Sequence, residues 1–340
     1  MTILQKINLR LKLLCIFIVA APFIPLLAGS SNSFGFSKNN MEISETKRAM
    51  GTFVSVTLVH DSEDEAGKAL SYAFEEMYRL VKILSRFDPE SPVSILNRDG
   101  KIENAPAELT EVIEESKRIH KITGGAFDIT VKPAVDLLQD HFKDSNLSKF
   151  PPTAKVNEAH ALIDMSGIVI QDGAIYLKNK GMGITLDGIA KGYIVDRMAE
   201  ILNLNGVSDY LINAGGDIRA QGTNPDEKYW VIAIEDPKKA YNYPDIISIN
   251  NGALATSGNY ENYFDQNKLF HHIINPHTGS SSLYNYSASV KAKTAAEADA
   301  LATALFTMKP EKAIKLIESI DGADCMILTK GLKRIKSSGW

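Results

Sequence analysis

The run Gly183-Ile184-Thr185-Leu186-Asp187-Gly188-Ile189-Ala190-Lys191-Gly192-Tyr193-Ile194-Val195-Asp196 holds an extended stretch, a break, a helix start and a lone lysine. Gly183 to Leu186 reads as a strand and Asp187-Gly188 as a break. Ile194, Val195, Met198, Ile201 and Leu202 then recur at helical spacing up to Gly206. Lys191 therefore falls in the first turn of a helix. That turn leaves backbone N–H groups without helical partners and carries the positive end of the dipole, so a lysine flanked by glycines suits a pyrophosphate. The plain alternative is a strand-to-helix connection with a solvated lysine, since neither GxxxxGK[ST] nor GxGxxG is present.

The elements on either side decide the class. Upstream, Thr52 to Val59 reads as a strand. A helix follows from Glu63 to about Leu84, with Ala66, Ala69, Leu70, Ala73, Met77, Leu80 and Val81 at apolar positions. Ser94 to Asn97 reads as a turn, Ala107 to Thr123 as a helix stopped by Gly124-Gly125, Val131 to Leu138 as a further helix, and 139–160 as a polar surface excursion around Pro151-Pro152. Strands are expected at Ile168 to Gln171, Ala174 to Leu177, Asp209 to Asn213, Tyr229 to Glu235, Ile246 to Asn250, His271 to Asn275, Ser287 to Lys293 and Asp324 to Thr329. Helices are expected at Ala295 to Met308 and Glu311 to Ser319. Strands arriving in runs, with helices between the blocks, predict a mixed α/β (α+β) fold with mixed sheets flanked by helices, and not a regular doubly wound one.

Composition bounds the rest. With 44% hydrophobic and 23% charged residues the chain is neither disordered nor a multi-span membrane protein. Its start differs: Lys6, Arg10 and Lys12 precede an apolar run from Leu13 to Ala28 and then Gly29-Ser30-Ser31, the plan of a secretory signal. Pro22 and Pro25 interrupt that run, so cleavage near Ala28 is expected, with a retained anchor as the alternative. The resulting division is a signal at 1–29, a short linker at 30–43 and one large domain at 44–340. Cleavage removes three of the 37 basic residues and none of the 41 acidic ones, taking the net charge from −4 to −7; no nucleic-acid partner is indicated. It also leaves Cys325 as the only cysteine, so neither an internal disulfide nor a Cys-based metal site is available.

Two further stretches could carry chemistry. In Lys293-Thr294-Ala295-Ala296-Glu297-Ala298-Asp299-Ala300-Leu301-Ala302-Thr303, Thr294 and Glu297 form a T-x-x-E capping box that starts a helix at Ala295. Asp299 and Thr303 then lie at i and i+4 on one face among alanines, a carboxylate and a hydroxyl suited to Mg²⁺ shared with phosphate oxygens. The bland reading is a buried Asp bonded to a loop and a Thr bonded to its own helix. In Phe270-His271-His272-Ile273-Ile274-Asn275-Pro276-His277-Thr278-Gly279 the histidine spacing fits no zinc motif. Alternation puts His271 and His272 on opposite faces, one toward a cleft and the other solvated, and a single histidine there is a candidate general base. Ser257 lies outside a G-x-S-x-G elbow and is not taken as a nucleophile.

Read in order, Met50-Gly51-Thr52, Ser85-Arg86-Phe87-Asp88-Pro89 with Ser94 to Asn97, Gly125-Ala126-Phe127-Asp128, Leu186 to Asp196, Asn213 to Ile218, Ala255 to Tyr260, His272 to Gly279 and Ala298 to Phe306 resemble the ApbE family of FAD:protein FMN transferases. The likeness runs over about residues 45 to 330; Phe87 stands where Tyr or Trp is common, and Asn275 where Asp is. It implies an ApbE-like domain and an enzyme that moves FMN from FAD to a Thr or Ser hydroxyl of a target protein, releasing AMP. By matched position it implies that Met50, Phe87, Ala126, Phe127, Asp128, Asp187, Tyr193 and Ile274 contact FAD, with Lys191 near the pyrophosphate. Asp299, Thr303 and the Ala190 carbonyl would hold Mg²⁺, and His272 would activate the acceptor hydroxyl. The implied partner is an exported or membrane-bound protein with a D-G-x-T-G-[AS]-T type motif, such as a flavinylated subunit of a redox-driven ion pump or quinone reductase. The implied location is the periplasm, with the N-terminal segment as the alternative inner-membrane anchor. A Mg²⁺-dependent FAD pyrophosphatase and a non-catalytic FAD-binding protein remain the competing readings.

Overall fold

Val54, Val56 and Leu58 are buried and alternate with more exposed neighbours, so this stretch forms a strand with one face in the core. A two-residue turn supplies its partner. Met50 and Gly51 both have positive φ, 52° and 73°, the geometry whose twist matches that of the flanking strands. Ala49 is thereby set opposite Thr52, and β1 (Met41–Ala49) pairs antiparallel with β2 (Thr52–His60). The computed structural model describes residues 40–143, 150–235, 243–259, 263–265 and 269–340. The sequence read as a signal, and the linker as far as residue 39, lie outside them.

After β2 come α1 (Glu63–Leu84), α2 (Pro92–Asp99), β3 (Lys101–Ile102), α3 (Ala107–Ile122), α4 (Lys132–His141), α5 (Thr153–His160), β4 (Ile168–Gln171), β5 (Ala174–Leu177) and α6 (Ala190–Leu204). The second half supplies β6 (Asp209–Ala214), β7 (Asp217–Gln221), β8 (Trp230–Ala233), β9 (Ile246–Ile249), β10 (Asn251–Gly258), β11 (Ile274–Asn275), β12 (Ser280–Ser281), β13 (Asn285–Ala292), α7 (Ala295–Phe306), α8 (Pro310–Ile317), β14 (Asp324–Thr329) and β15 (Arg334–Lys336). The main sheet has the order β1-β2-β6-β7-β10-β13-β14-β15. Its helix-covered face carries Val54, Val56 and Leu58 of β2, Tyr210 and Ile212 of β6, Ala253 and Ala255 of β10, and Ala288 and Val290 of β13, in one core with α1, α6 and α7. Helix α7 is apolar nearly all round and so lies at the centre of that layer. The opposite face is covered by the β8–β9 hairpin, whose Trp230, Ile232 and Ile249 pack on Ile218, Ala220, Leu254 and Met326. A third cluster joins Val135 and Leu138 of α4 to Phe270 and Ile274.

The class is the expected α+β, and Asn39–Trp340 forms one compact unit. The sheets, expected to be mixed, are antiparallel in every described ladder. Gly183 to Leu186 is not a strand. Asn97 takes both backbone groups of Ile184, its Oδ1 accepting from Ile184 N at 2.6 Å and its Nδ2 donating to Ile184 O at 2.9 Å, and Thr185 N donates to the Ile129 carbonyl. These bonds replace a ladder. Residues 41–43, read as the end of a linker, belong to β1, a polar edge strand with no apolar alternation to betray it. Strands β7 and β10 also escape the pattern: β7 turns Asp217 and Arg219 toward α6, and β10 is built of small residues that let α7 come close. Ser94 to Asn97 lies in a helix. Ser91 caps it, its Oγ accepting from Ser94 N at 3.0 Å, Pro92 opens it, and Gly100 at φ 72° closes it. The polar excursion 139–160 contains α5, whose weak amphipathic pattern hides it.

Candidate active site

Two tight turns meet at one end of the main sheet. The β6–β7 turn is Gly215-Gly216, with φ 64° and 104°, braced by Gly216 N donating to Asn213 Oδ1 at 2.9 Å. It lies against the β1–β2 turn, since a side chain on Gly215 would run into Thr52. Asp217 begins β7 at this end, and Ser257 lies near the end of the neighbouring β10.

Helices α6 and α7 cross above it. Gly192 has no room for a Cβ, which would collide with the Ala295 carbonyl, so the two backbones touch. Gly192 N donates to Asp299 Oδ2 at 3.2 Å, and a Cβ on Gly188 would lie 2.7 Å from Thr303 Oγ1. Asp196, one turn further along α6, caps α7: its two oxygens accept from Ala295 N and Ala296 N at 2.8 Å each. Burial nevertheless pushes its pKa up to about 6. The capping box is half formed, since Thr294 Oγ1 accepts from Glu297 N at 3.2 Å while the Glu297 carboxylate is held by Arg118. Ala190, Lys191, Asp299 and Thr303, far apart in the chain, are thus gathered at one crossing. Thr303 Oγ1 lies 3.0 Å from Ser257 Oγ, and Lys191 pairs with Asp217, which is only 2% exposed. Burial, and after it the Asp217 charge, hold Asp299 well above the ordinary carboxylate range, while Lys191 and the Gly192 N–H act the other way.

The residues expected to meet a flavin nucleotide fall into two groups. Met50 sits in the β1–β2 turn; Phe87 is 73% exposed, with the Arg86 guanidinium 4.3 Å above its ring. Arg86 Nε also donates to Asp187 Oδ2 at 2.9 Å, tying Phe87 to the start of α6. Tyr193 donates its hydroxyl to Glu111 at 2.5 Å, and burial, followed by that carboxylate, raises its phenol pKa. Ala126, Phe127, Asp128 and Ile274, by contrast, are buried. Asp128 Oδ1 accepts from Thr130 N at 2.7 Å, capping the short 3-10 turn 129–131, and its Oδ2 lies 3.3 Å from His120 Nδ1. The Ala126 carbonyl accepts from Thr307 Oγ1 at 3.3 Å, and Ile274 packs in the satellite core against α4. Gly125 lies against His277, so the loop at 124–128 and the loop after β11 adjoin.

The paired histidines separate. His271 is fully buried: its Nδ1 accepts from Ile273 N at 3.2 Å and its Nε2 donates to the Ser282 carbonyl at 2.7 Å, and burial pushes its pKa down to about 4. It points into the core and not into a cleft. His272 is the half-exposed one. Asn275 Nδ2 donates to the Thr307 carbonyl, and Asn285 Nδ2 to the carbonyls of Leu305, Phe306 and Met308, so the ends of this segment close the C-terminus of α7. Asp196, Asp217 and Ser257 were not assigned roles from sequence; the one available signal was the charged pair Asp217 and Arg219 on the same face of a strand. No group of three or more His, Cys, Asp or Glu suited to a metal occurs among the described residues. The donors at the crossing are of another kind, a carboxylate, a hydroxyl and a backbone carbonyl.

This arrangement has known relatives. The model of the ApbE family matches residues 50–327. An FAD:protein FMN transferase of Haemophilus influenzae is 31% identical over 307 residues, covering 86% of this chain and 88% of its own. The crystal structure of the ApbE protein from Thermotoga maritima superposes with a TM-score of 0.79 at 29% identity, over 88% of this chain and 98% of that one. The flavin transferase ApbE from Vibrio cholerae does so with a TM-score of 0.75 at 26% identity, over 88% and 98%. With the family's segments in order along the sequence and its fold reproduced over that span, the chain is a member of the ApbE family.

Proposed function

We infer that this protein is an FAD:protein FMN transferase, which moves FMN from FAD to a Thr or Ser hydroxyl of a target protein and releases AMP. The observation that carries this reading is the α6–α7 crossing, where Gly188 and Gly192 bring the start of α6 against Thr303 and Asp299. Hard oxygen donors around a buried carboxylate, with Asp187 and Asp217 nearby and Lys191 as the opposing charge, fit a divalent cation such as Mg²⁺. Asp299, Thr303 Oγ1 and the Ala190 carbonyl would hold it, and when bound it would supply neutralising charge to the pyrophosphate oxygens. Lys191 and the first-turn N–H groups of α6 add positive potential on the same side. Phe87 offers an exposed aromatic face for the flavin, with Arg86 and Asp187 fixing its approach. His272 would take the proton of the acceptor hydroxyl as its oxygen bonds to the FMN-side phosphorus, while the bond from that phosphorus to the AMP oxygen breaks.

The test is incubation with FAD, Mg²⁺ and a peptide bearing a D-G-x-T-G-[AS]-T motif. The expected result is a peptide carrying FMN with one AMP released per peptide modified. AMP release without peptide modification would instead make the protein an FAD pyrophosphatase, and bound FAD without AMP a flavin carrier. The basic-then-apolar start of the chain supports export, which would place the acceptor among exported or membrane-bound proteins; N-terminal sequencing of the mature protein checks it.

A further inference from the structure

Strand β7 turns two charged side chains to the helix layer, and both meet α6. Asp217 pairs with Lys191, and Arg219 Nε lies 3.9 Å from Asp196 Oδ1. The spacings match: five residues along a helix advance about 7.5 Å and two along a strand about 6.8 Å, so the crosswise pairs clamp the helix to the strand in one register. The Arg219 pair sits at the level of the α7 cap. The Asp217 pair sits at the site, where Lys191 also acts by charge on Asp299. Left without Asp217, the Lys191 ammonium would be drawn toward the buried Asp299 carboxylate, on which it already acts by charge.

We propose that Asp217 is a positioning residue that holds the Lys191 ammonium at the site and keeps it from closing onto Asp299, so that the Asp299 carboxylate stays available to a divalent cation. The inference rests on the divalent-cation reading above. Asp217 suits the task because it is 2% exposed, begins a strand straight after a two-glycine turn, and is therefore fixed where a surface carboxylate would sample many positions. Lys191 keeps a third of its side chain exposed and so retains freedom to meet a phosphate while its anchor stays put.

Mn²⁺ alone serves as the probe, with free Mn²⁺ followed by electron paramagnetic resonance in titrations of the full chain and of D217N, K191M and the double variant. Asn matches Asp in volume, and a melting temperature near that of the parent certifies the fold; D217S replaces D217N should the latter fail that check. D217N is expected to weaken Mn²⁺ binding by about tenfold, and K191M is expected to abolish that loss, leaving the double variant level with K191M. An equal loss in both backgrounds would show that Asp217 acts by its own charge and would overturn the proposal, as would a D217N that binds like the parent. Absence of Mn²⁺ binding in the parent would instead remove the cation reading on which the proposal stands.

Discussion

Adjacent identical residues can have opposite fates, and His271 and His272 show why. His271 uses both ring nitrogens inside the core, one as acceptor and one as donor, so its neutral form is built into the fold. Its folded pKa of about 4 lies below the ordinary value of 6.5. The stability it contributes is therefore complete above pH 6.5 and is lost as pH falls from there through 4. Asp196 has the opposite sign: raised from 3.8 to about 6, its contribution is complete below 3.8 and lost as pH rises through 6. The two partly offset in the parent, so a single variant is needed to separate them. His271→Asn is expected to cost about 1–3 kcal/mol in urea denaturation at pH 7, with the gap to the parent narrowing at pH 4.5. A gap that stays constant with pH would mean that His271 is not held neutral. His272→Ala is expected to slow FMN transfer to the acceptor by about 10²–10⁴-fold while FAD affinity, followed by flavin fluorescence, changes little. Equal losses in both would make it a binding residue. That the two side chains point opposite ways was legible from alternation; that His271 turns into the core and not toward a cleft was not, because the choice depends on Ser282, across the β11–β12 hairpin.

At the scale of elements, local signals carry their own ends. Helix α1 runs over Glu63–Leu84 as its apolar spacing indicates, with the Ser62 hydroxyl capping Glu65 N and acidic residues in the first turn. Thr294 starts α7 in the same way. What the periodicity does not carry is how close two helices come. Gly192→Ala adds one methyl group at the point where α6 meets the Ala295 carbonyl, and backbone cannot yield as a side chain does. It is expected to lower stability by about 1–3 kcal/mol despite the better helix propensity of alanine, and to lower activity with it, since the same shift parts Ala190 from Asp299. A thermal melt beside the transfer assay checks both; a variant more stable than the parent would show that the helices have slack. Strands β7 and β10 escaped notice for a related reason. Their inward residues are charged, or are Ala and Ser, and they make sense only against α6 and α7.

For the whole molecule, the site lies between layers and not within an element, so ligand binding should report on global stability. FAD with Mg²⁺ is expected to raise the melting temperature, by the equivalent of about 2.7 kcal/mol at a hundredfold excess over the dissociation constant, and EDTA to withdraw most of that gain. In Asp299→Ala the protein should still melt cooperatively while the Mg²⁺-dependent part of the shift disappears. A shift indifferent to EDTA and to Asp299 would separate flavin binding from the metal.

The sequence by itself determined the class, the starts of the main helices and the family, because caps, helical spacing and motif order are local properties of the chain. Tertiary structure alone decided that Gly183 to Leu186 hangs on Asn97 in place of a ladder, that Asp299 is buried against the α6 backbone and that Lys191 is paired with Asp217. The partners in these contacts stand 87, 107 and 26 residues apart. Burial and charge pairing at such separations follow from strand register and from the closeness of two helices, and neither is set before the sheet is assembled.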